Sequence, residues 1–438
     1  VASYRFAAAS LLALAGVIAA GCRSLPGLPV AASPRQEYER ALAEARLATR
    51  PLGRDWLAAA RVAVASPTAI SPPYRETGFF DPARPGAVAF ALDLRRGEEV
   101  VVQLATAPLD LPLFLELLRP GSEAGAEWEV LAAAADGRTL RYAPRADARL
   151  VLLLQPELLS GGRYTLDVTA AGTLAFPVED PAAATLSPFG TPRDRGARLH
   201  EGVDIAAARG TPALAAADGS VLAARESPLG GRVVWLRTDS GLTLYYAHLD
   251  RFRVREGDRV ARGEAVGEVG DTGNARGTRP HLHFEVHAGG ERLDPEPWIR
   301  PPREPEPVAA ELDLLGTWCR ATRDGARLRG GPATSYPIVA ELGRDQAARV
   351  AAAARDWYRV ELPDGRRGYT AALLLAPADA PLRRLPLHAP LELRAGPAPR
   401  SAPVARLEAG ARIAVLALAG ETVLVEGPGG KRGWMELP

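Results

Sequence analysis

The chain of 438 residues is too long for one compact domain and fits about two to four. A formal net charge of +1, with 24% charged residues, excludes a bulk electrostatic case for nucleic acid. Lys431 is the one lysine among 53 basic residues, which bars lysine chemistry elsewhere, and the two cysteines, Cys22 and Cys319, imply no disulfide framework.

Arg5 is followed by an uncharged run from Phe6 to Cys22. The run is short for a membrane-spanning helix, which takes about 20 apolar residues. It has the layout of a secretory signal: a basic start, an apolar middle and a small-residue end. Its last four residues, AAGC, resemble the bacterial lipobox, although Ala19 stands where a larger aliphatic residue is usual. That resemblance implies a lipoprotein signal over residues 1–22 and export, with a lipidated Cys22 as membrane anchor. Arg23, in place of an acidic residue, points to the periplasmic side of the outer membrane if the cell is Gram-negative.

Residues 23–72 read as a tether and short helices. RSLPGLPVAASP is the tether. The spacing of Tyr38, Leu42 and Ala45, and of Trp56, Ala60 and Val64, predicts two helices between Pro34 and Ala65, broken at Pro51. Residues 73–180 turn to strand alternation. AVAFALDL sets Val88, Phe90, Leu92 and Leu94 on one face, and RYTLDV does the same for Tyr164, Leu166 and Val168. This predicts a β-sandwich, read as an accessory or binding domain because it holds no catalytic constellation.

Residues 185–300 are rich in glycine and hold five of the six histidines. A Pro-rich linker, residues 301–315, follows. The tail repeats itself. LRGGPATSYPIVAEL starts at Leu328 and LRAGPAPRSAPVARL at Leu393, an offset of 65 that also relates Gly365 to Gly430, Gly368 to Gly433 and Tyr369 to Trp434. Two copies of one unit are predicted, residues 316–378 and 384–438. Their pattern resembles bacterial SH3-like domains, small β-barrels that bind cell-wall peptides. The first copy has it in full, with Trp357 and Tyr358, whereas Thr422 and Val423 fill those places in the second.

Three histidines crowd TRPHLHFEVH, Thr278 to His287. Side chains alternate along a strand, so His281 and His283 face the same way. That fits a metal site or a catalytic pair. Upstream, His200 and Asp204 form H-x-x-x-D, and LYYAHLDRF holds His248. In this order, with the glycine-rich GDTGNARGTRPHLHFEV and the closing LDPEPWI, the set resembles the LytM/lysostaphin-type zinc endopeptidases, which cut peptide cross-links in bacterial cell walls.

The resemblance implies an antiparallel β-sheet peptidase core with one Zn2+ per chain. The ligands would be His200, Asp204 and His283. His248 and His281 would do the proton work on water, oxyanion and leaving amine. The donor types suit this chemistry: a catalytic zinc takes three protein ligands and leaves a fourth place open, and it lowers the pKa of water to about 7. Tyr246, which alternation places with His248, is expected to line the groove, and Asn274 and Thr278 of the glycine-rich loop to meet substrate. Glu201 follows His200 as in the H-E pair of other metallopeptidases, but the glycine and β-formers after it give no helix to place it over a metal. VREGDRVARGEAVGEVG looks like half of a biotinyl- or lipoyl-carrying domain; those domains modify a lysine, and none lies near.

The whole reading is a mainly β, multidomain protein: short N-terminal helices, a β-sandwich, the peptidase core and two SH3-like β-barrels. Its expected activity is zinc-dependent hydrolysis of peptide bonds in peptidoglycan stem or cross-link peptides, with the SH3-like units as wall binders. The alternative is a non-catalytic cell-wall-binding scaffold or amidase activator, the role of relatives that have lost their ligands; all five site residues stand here. A metallopeptidase acting on proteins is a third reading that the same site chemistry allows.

Overall fold

The computed structural model describes residues 32–121, 128–398 and 401–436; Cys22 and the signal run lie outside them. Ser33 opens helix α1 (Pro34–Glu44) with a capping box, its hydroxyl accepting from the Gln36 N–H while the Gln36 side chain accepts from the Ser33 N–H. Pro51 sits in the first turn of α2 (Pro51–Ala65), where its missing N–H loses no helical bond, so the residue that breaks one helix starts the next. The α2 stripe of Ala60, Ala63 and Val64 packs on Ala89, Val151 and Leu153. Trp56 donates its indole N–H to the Pro156 carbonyl at 2.7 Å. No helix of the described residues is long and apolar enough to cross a membrane.

The helices cover one face of a sandwich made from β1 (Tyr74–Phe80), β2 (Val88–Leu94), β3 (Glu98–Ala107), β4 (Leu113–Arg119), β5 (Ala148–Pro156) and β6 (Gly162–Gly172). Strands β2, β5 and β4 lie side by side in one sheet; β1, β6 and β3 do so in the other. Alternate residues from both sheets make one core, with Phe90, Leu92, Leu152 and Leu154 from one side and Val102, Tyr164, Leu166 and Val168 from the other. Strand β2 is buried on both faces, since α2 covers Ala89. Its near-continuous apolar sequence follows from that.

A further sheet is formed by β7 (Val203–Ala206), β8 (Gly219–Ser227), β9 (Gly231–Thr238), β10 (Thr243–Leu249) and β11 (His281–Ala288), in the antiparallel order β7–β11–β10–β9–β8. One face is apolar: Ile205, Val234, Leu236, Leu244, Leu282, Phe284 and Val286 are all buried in one cluster. Strict alternation leaves the opposite face to Asp204, His281, His283, Glu285, Tyr245 and Trp235. The closing LDPEPWI docks this unit on the sandwich. Trp298 lies over Gly97, where a Cβ would stand 2.5 Å from the indole, and the Gly172 N–H donates to the Arg300 carbonyl at 2.8 Å.

The sandwich sheet does not end at its own edge. Strand β1 pairs with β12 (Ala347–Ala354), placing Thr77 and Gly78 opposite Ala353 and Ala352, and β12 continues to β13 (Trp357–Glu361) and β14 (Arg367–Ala371) of the first SH3-like unit. Glu76 is fully buried at the joint. Arg359 donates to both of its carboxylate oxygens, at 2.9 and 3.1 Å, and the hydroxyls of Tyr164, Tyr74 and Tyr369 donate at 2.7, 2.8 and 3.0 Å. Trp357 belongs to the sandwich core, and Tyr358 packs inside its own barrel with its hydroxyl on the Glu311 carbonyl at 2.9 Å. Both side chains are interior: Trp357 faces the sandwich core at the docked edge and Tyr358 the core of its own barrel.

Each of the six strands of the second unit stands 65 residues after its counterpart, from Arg383–Pro386 after Trp318–Ala321 to Arg432–Glu436 after Arg367–Ala371. Trp434, in the place of Tyr369, meets Trp318 of the first unit edge-on with ring centres 4.8 Å apart. Ala347, Leu416 and Leu424 complete that contact.

Candidate metal centre and groove

Antiparallel pairing sets Asp204 of β7 directly opposite His283 of β11, 79 residues away in sequence, so their side chains share a face and meet. His200 enters from the turn before β7, held by its N–H on the Thr191 carbonyl at 2.9 Å. Gly202 allows the approach: a Cβ there would stand 2.4 Å from the Phe284 carbonyl oxygen and 3.0 Å from the His283 ring. The result is a triangle of ligand atoms. His200 Nε2 lies 3.0 Å from Asp204 Oδ1 and 3.0 Å from His283 Nδ1, and His283 Nδ1 lies 2.8 Å from Asp204 Oδ1. Among the described residues this is the group of histidine and carboxylate side chains able to hold a metal.

The donor set fits zinc. Two imidazole nitrogens and one carboxylate oxygen are a hydrolytic ligand set, and bonds of 2.0–2.1 Å in a tetrahedron separate ligand atoms by about 3.3 Å, close to the observed edges. The far side of each ring is spoken for. His200 Nδ1 lies 3.0 Å from the Pro188 carbonyl, and His283 Nε2 lies 2.9 Å from Glu285 Oε1. Carbonyl and carboxylate accept the N–H there, which turns the other nitrogen's lone pair toward the centre. The carboxylate of Asp204 lies far below its usual range; burial opposes this, but hydrogen bonds from His200 and His283 outweigh it. His283 is likewise opposed by burial, yet its hydrogen bonds to Asp204 and Glu285 raise it to about 9.

His248 and His281 flank the triangle, their ring centres 5.1 Å apart. His281 donates from Nδ1 to the Arg279 carbonyl at 2.8 Å, and its Nε2 lies 3.9 Å from Asp204 Oδ1. His248 donates from Nδ1 to the Thr272 carbonyl at 2.9 Å. Alternation alone would not put His248 here. Ala247 and Tyr245 share the site face, paired with His283 and Glu285, so Tyr246 and His248 should both point into the core. His248 escapes because its backbone is left-handed, with φ of 62°. Few residues other than glycine accept that conformation, histidine being one of the commoner. The His248 N–H on the Gly230 carbonyl, at 2.8 Å, helps hold it. Burial, with the charges of His281 and His283, pushes His248 down to about 4.

The same kink corrects the expectation for Tyr246. It does not line the groove; it is fully buried, and its hydroxyl accepts from the Ala216 N–H at 2.9 Å. Tyr245 lines the groove in its place, its ring tilted against Trp235 with ring centres 4.4 Å apart. Asn274 and Thr278 are at the groove wall, although the Thr278 hydroxyl donates to the Ala275 carbonyl at 2.7 Å. Glu201 is half exposed and pairs with Arg292 at 3.2 Å. His287 lies 2.6 Å from Glu285 Oε2, away from the ligand triangle. Two groups were missed by sequence reasoning. Glu285 was findable, two residues past His283 and hence on its face. Arg193, 2.6 Å from Asp204 Oδ2, sits in a two-residue strand, Pro192–Arg193, too short for a periodic signal. Over all of these opens a groove of about 730 Å3.

Three side chains able to hold a metal, open to a groove and flanked by two imidazoles, are the arrangement that a metallohydrolase site requires. Residues 198–295 match Peptidase family M23 and residues 322–376 match the Bacterial SH3 domain, so the chain carries an M23 peptidase domain and a bacterial SH3 domain. It is 39% identical over 138 residues to DD-carboxypeptidase/endopeptidase Mpg of Neisseria meningitidis, covering 31% of each chain. It is 37% identical over 98 residues to peptidoglycan DD-endopeptidase ShyC of Vibrio cholerae, covering 22% of each. Among solved structures, the catalytic domain of lysostaphin from Staphylococcus simulans is 30% identical, with 26% of this chain and 90% of that one covered and a TM-score of 0.24. The chain spans about a third of the length of the Neisseria relative.

Proposed function

We propose that the chain is a zinc endopeptidase that hydrolyses peptide bonds in the stem or cross-link peptides of peptidoglycan. The observation that carries this is the triangle of His200, Asp204 and His283 atoms beside His248 and His281, in an open groove. His200, Asp204 and His283 would hold the ion, which when bound supplies Lewis acidity at a carbonyl and acidifies water. The chain's own groups do the rest. His248, held neutral near pH 7 by burial, has its Nδ1 proton committed to Thr272, so Nε2 is the atom that accepts a proton. His281 presents Nε2 on the same side, with Nδ1 committed to Arg279. A proton taken up there is delivered to the leaving nitrogen. Arg193 and Glu285 fix the orientations of Asp204 and His283. Tyr245, Asn274 and Thr278 bind the peptide along the groove.

The printed name of the Vibrio cholerae relative, a peptidoglycan DD-endopeptidase, supports peptidoglycan as the substrate in this reading. The reading includes export and a lipid anchor at Cys22, which holds the enzyme within reach of the wall. The test separates ligands from proton carriers. His283→Ala loses the metal and the activity, whereas His281→Ala keeps about one zinc per chain and loses turnover on peptidoglycan. Equal zinc loss in both variants contradicts the division of roles. A zinc-replete protein that binds the wall without cutting it returns the chain to the scaffold reading.

A further inference from the structure

Strands β9 and β10 lose register beside the metal triangle. Val234 pairs with Tyr246 and Arg232 with Leu249, so Val233 alone stands against Ala247 and His248. This is a β-bulge, a device that re-aims a side chain next to an active site. His248, with its left-handed backbone, lies inside it. A bulge interrupts the ladder, and the backbone groups there need other partners. The hydroxyl of Thr272 supplies one. It accepts the Arg232 N–H at 2.9 Å and donates to the Leu249 carbonyl at 2.8 Å, so one side chain bridges the two residues that close the bulge. The same residue holds His248 itself, since its carbonyl accepts the Nδ1 proton at 2.9 Å. Room for the hydroxyl comes from Gly231, left-handed with φ of 65°, where a Cβ would stand 2.2 Å from Thr272 Oγ1.

Resting on the peptidase reading above, we propose that Thr272 is the positioning residue of His248: its hydroxyl props the bulge open, and its carbonyl orients the ring that the bulge delivers. Thr272 does not line the groove, so it acts through His248 and not on substrate. The hydroxyl is the part that matters for the backbone. A methyl group in its place neither donates nor accepts, and carbon keeps about 3.3–3.6 Å from a carbonyl oxygen even in close regular contacts. Strands β9 and β10 would then move apart or close into regular pairing. Regular pairing turns His248 toward the core, on the face that Tyr246 occupies. Either movement takes the ring from its place beside His281, where ring centres are 5.1 Å apart. Misplacing a catalytic group by about 1 Å costs on the order of a hundredfold in rate.

The test compares Thr272→Val and Thr272→Ser with the wild type as zinc-loaded full chains, using dimeric muropeptides for turnover and NMR of isotope-labelled histidine for the ring. In Thr272→Val, kcat is expected to fall about 10–100-fold while KM and zinc content stay. The hydrogen-bonded Nδ1 proton of His248, assigned by its absence from His248→Gly, is expected to lose its slowly exchanging signal in the same variant. Thr272→Ser keeps the hydroxyl and should hold both the signal and kcat, the latter within about threefold of wild type. Wild-type turnover in Thr272→Val overturns the proposal. So does zinc lost together with turnover, which would mean that the hydroxyl holds the whole site, and so does a Thr272→Ser as slow as Thr272→Val. A wild type that shows the His248 signal, loses it in Thr272→Val and yet cuts no muropeptide overturns the peptidase reading and leaves the placement of His248 standing.

Discussion

His248 sits in a left-handed backbone conformation that costs most residues about 1–2 kcal/mol. That cost is what places its ring beside the metal triangle and not in the core. Glycine accepts the conformation freely. His248→Gly is therefore expected to be more stable than His248→Ala by about 1 kcal/mol in urea melts, with both variants holding zinc and lacking turnover. Equal stability would show the backbone to be unstrained. His283 supports a second prediction. With both ring nitrogens facing carboxylates, Asp204 at 2.8 Å and Glu285 at 2.9 Å, the metal-free ring is doubly protonated and titrates at about 9. The proton on Nδ1 occupies the place of the metal. Zinc uptake near pH 7.5 should then release about one proton, and the affinity should rise toward pH 9 by about tenfold per pH unit from this group before levelling. Calorimetry in buffers of different ionisation heat reads the proton directly; zinc uptake without proton release contradicts the assignment.

At the scale of elements, the sequence was most legible where a period or an ordered motif existed. Val88, Phe90, Leu92 and Leu94 share the sandwich core as their alternation predicts, and Pro51 divides the helices. His200, Asp204 and His283 converge because one antiparallel register brings their segments together. What alternation could not show was its own interruption at His248, which led to Tyr246 being chosen where Tyr245 lines the groove. Nor could it show the joint between the sandwich and the first barrel. Glu76 and Arg359 lie 283 residues apart, and nothing local in either strand signals the partner. The joint makes its own prediction. Arg359→Met leaves a buried carboxylate without its counter-ion and should cost about 3–5 kcal/mol, while Glu76→Gln combined with Arg359→Met should recover part of that loss. Thermal unfolding of the single and double variants checks it; additive losses would mean the two residues act independently.

Across the whole molecule the SH3-like units are stacked, each docked on the β-unit before it through equivalent positions. Tyr369 of the first meets the buried Glu76 of the sandwich, and Trp434 of the second, 65 residues on, meets Trp318 of the first. The sandwich in turn carries the peptidase sheet through Trp298. This arrangement spends Tyr369 of the first repeat and Trp434 of the second on holding the molecule together, and the groove beside the His200–Asp204–His283 triangle stays open. The account depends most on that groove cutting the wall. Purified peptidoglycan digested with the zinc-loaded chain and resolved by chromatography should show cross-linked dimers converted to monomers, with no conversion by His281→Ala at equal zinc content. Dimers left intact by a zinc-replete wild-type chain would contradict it.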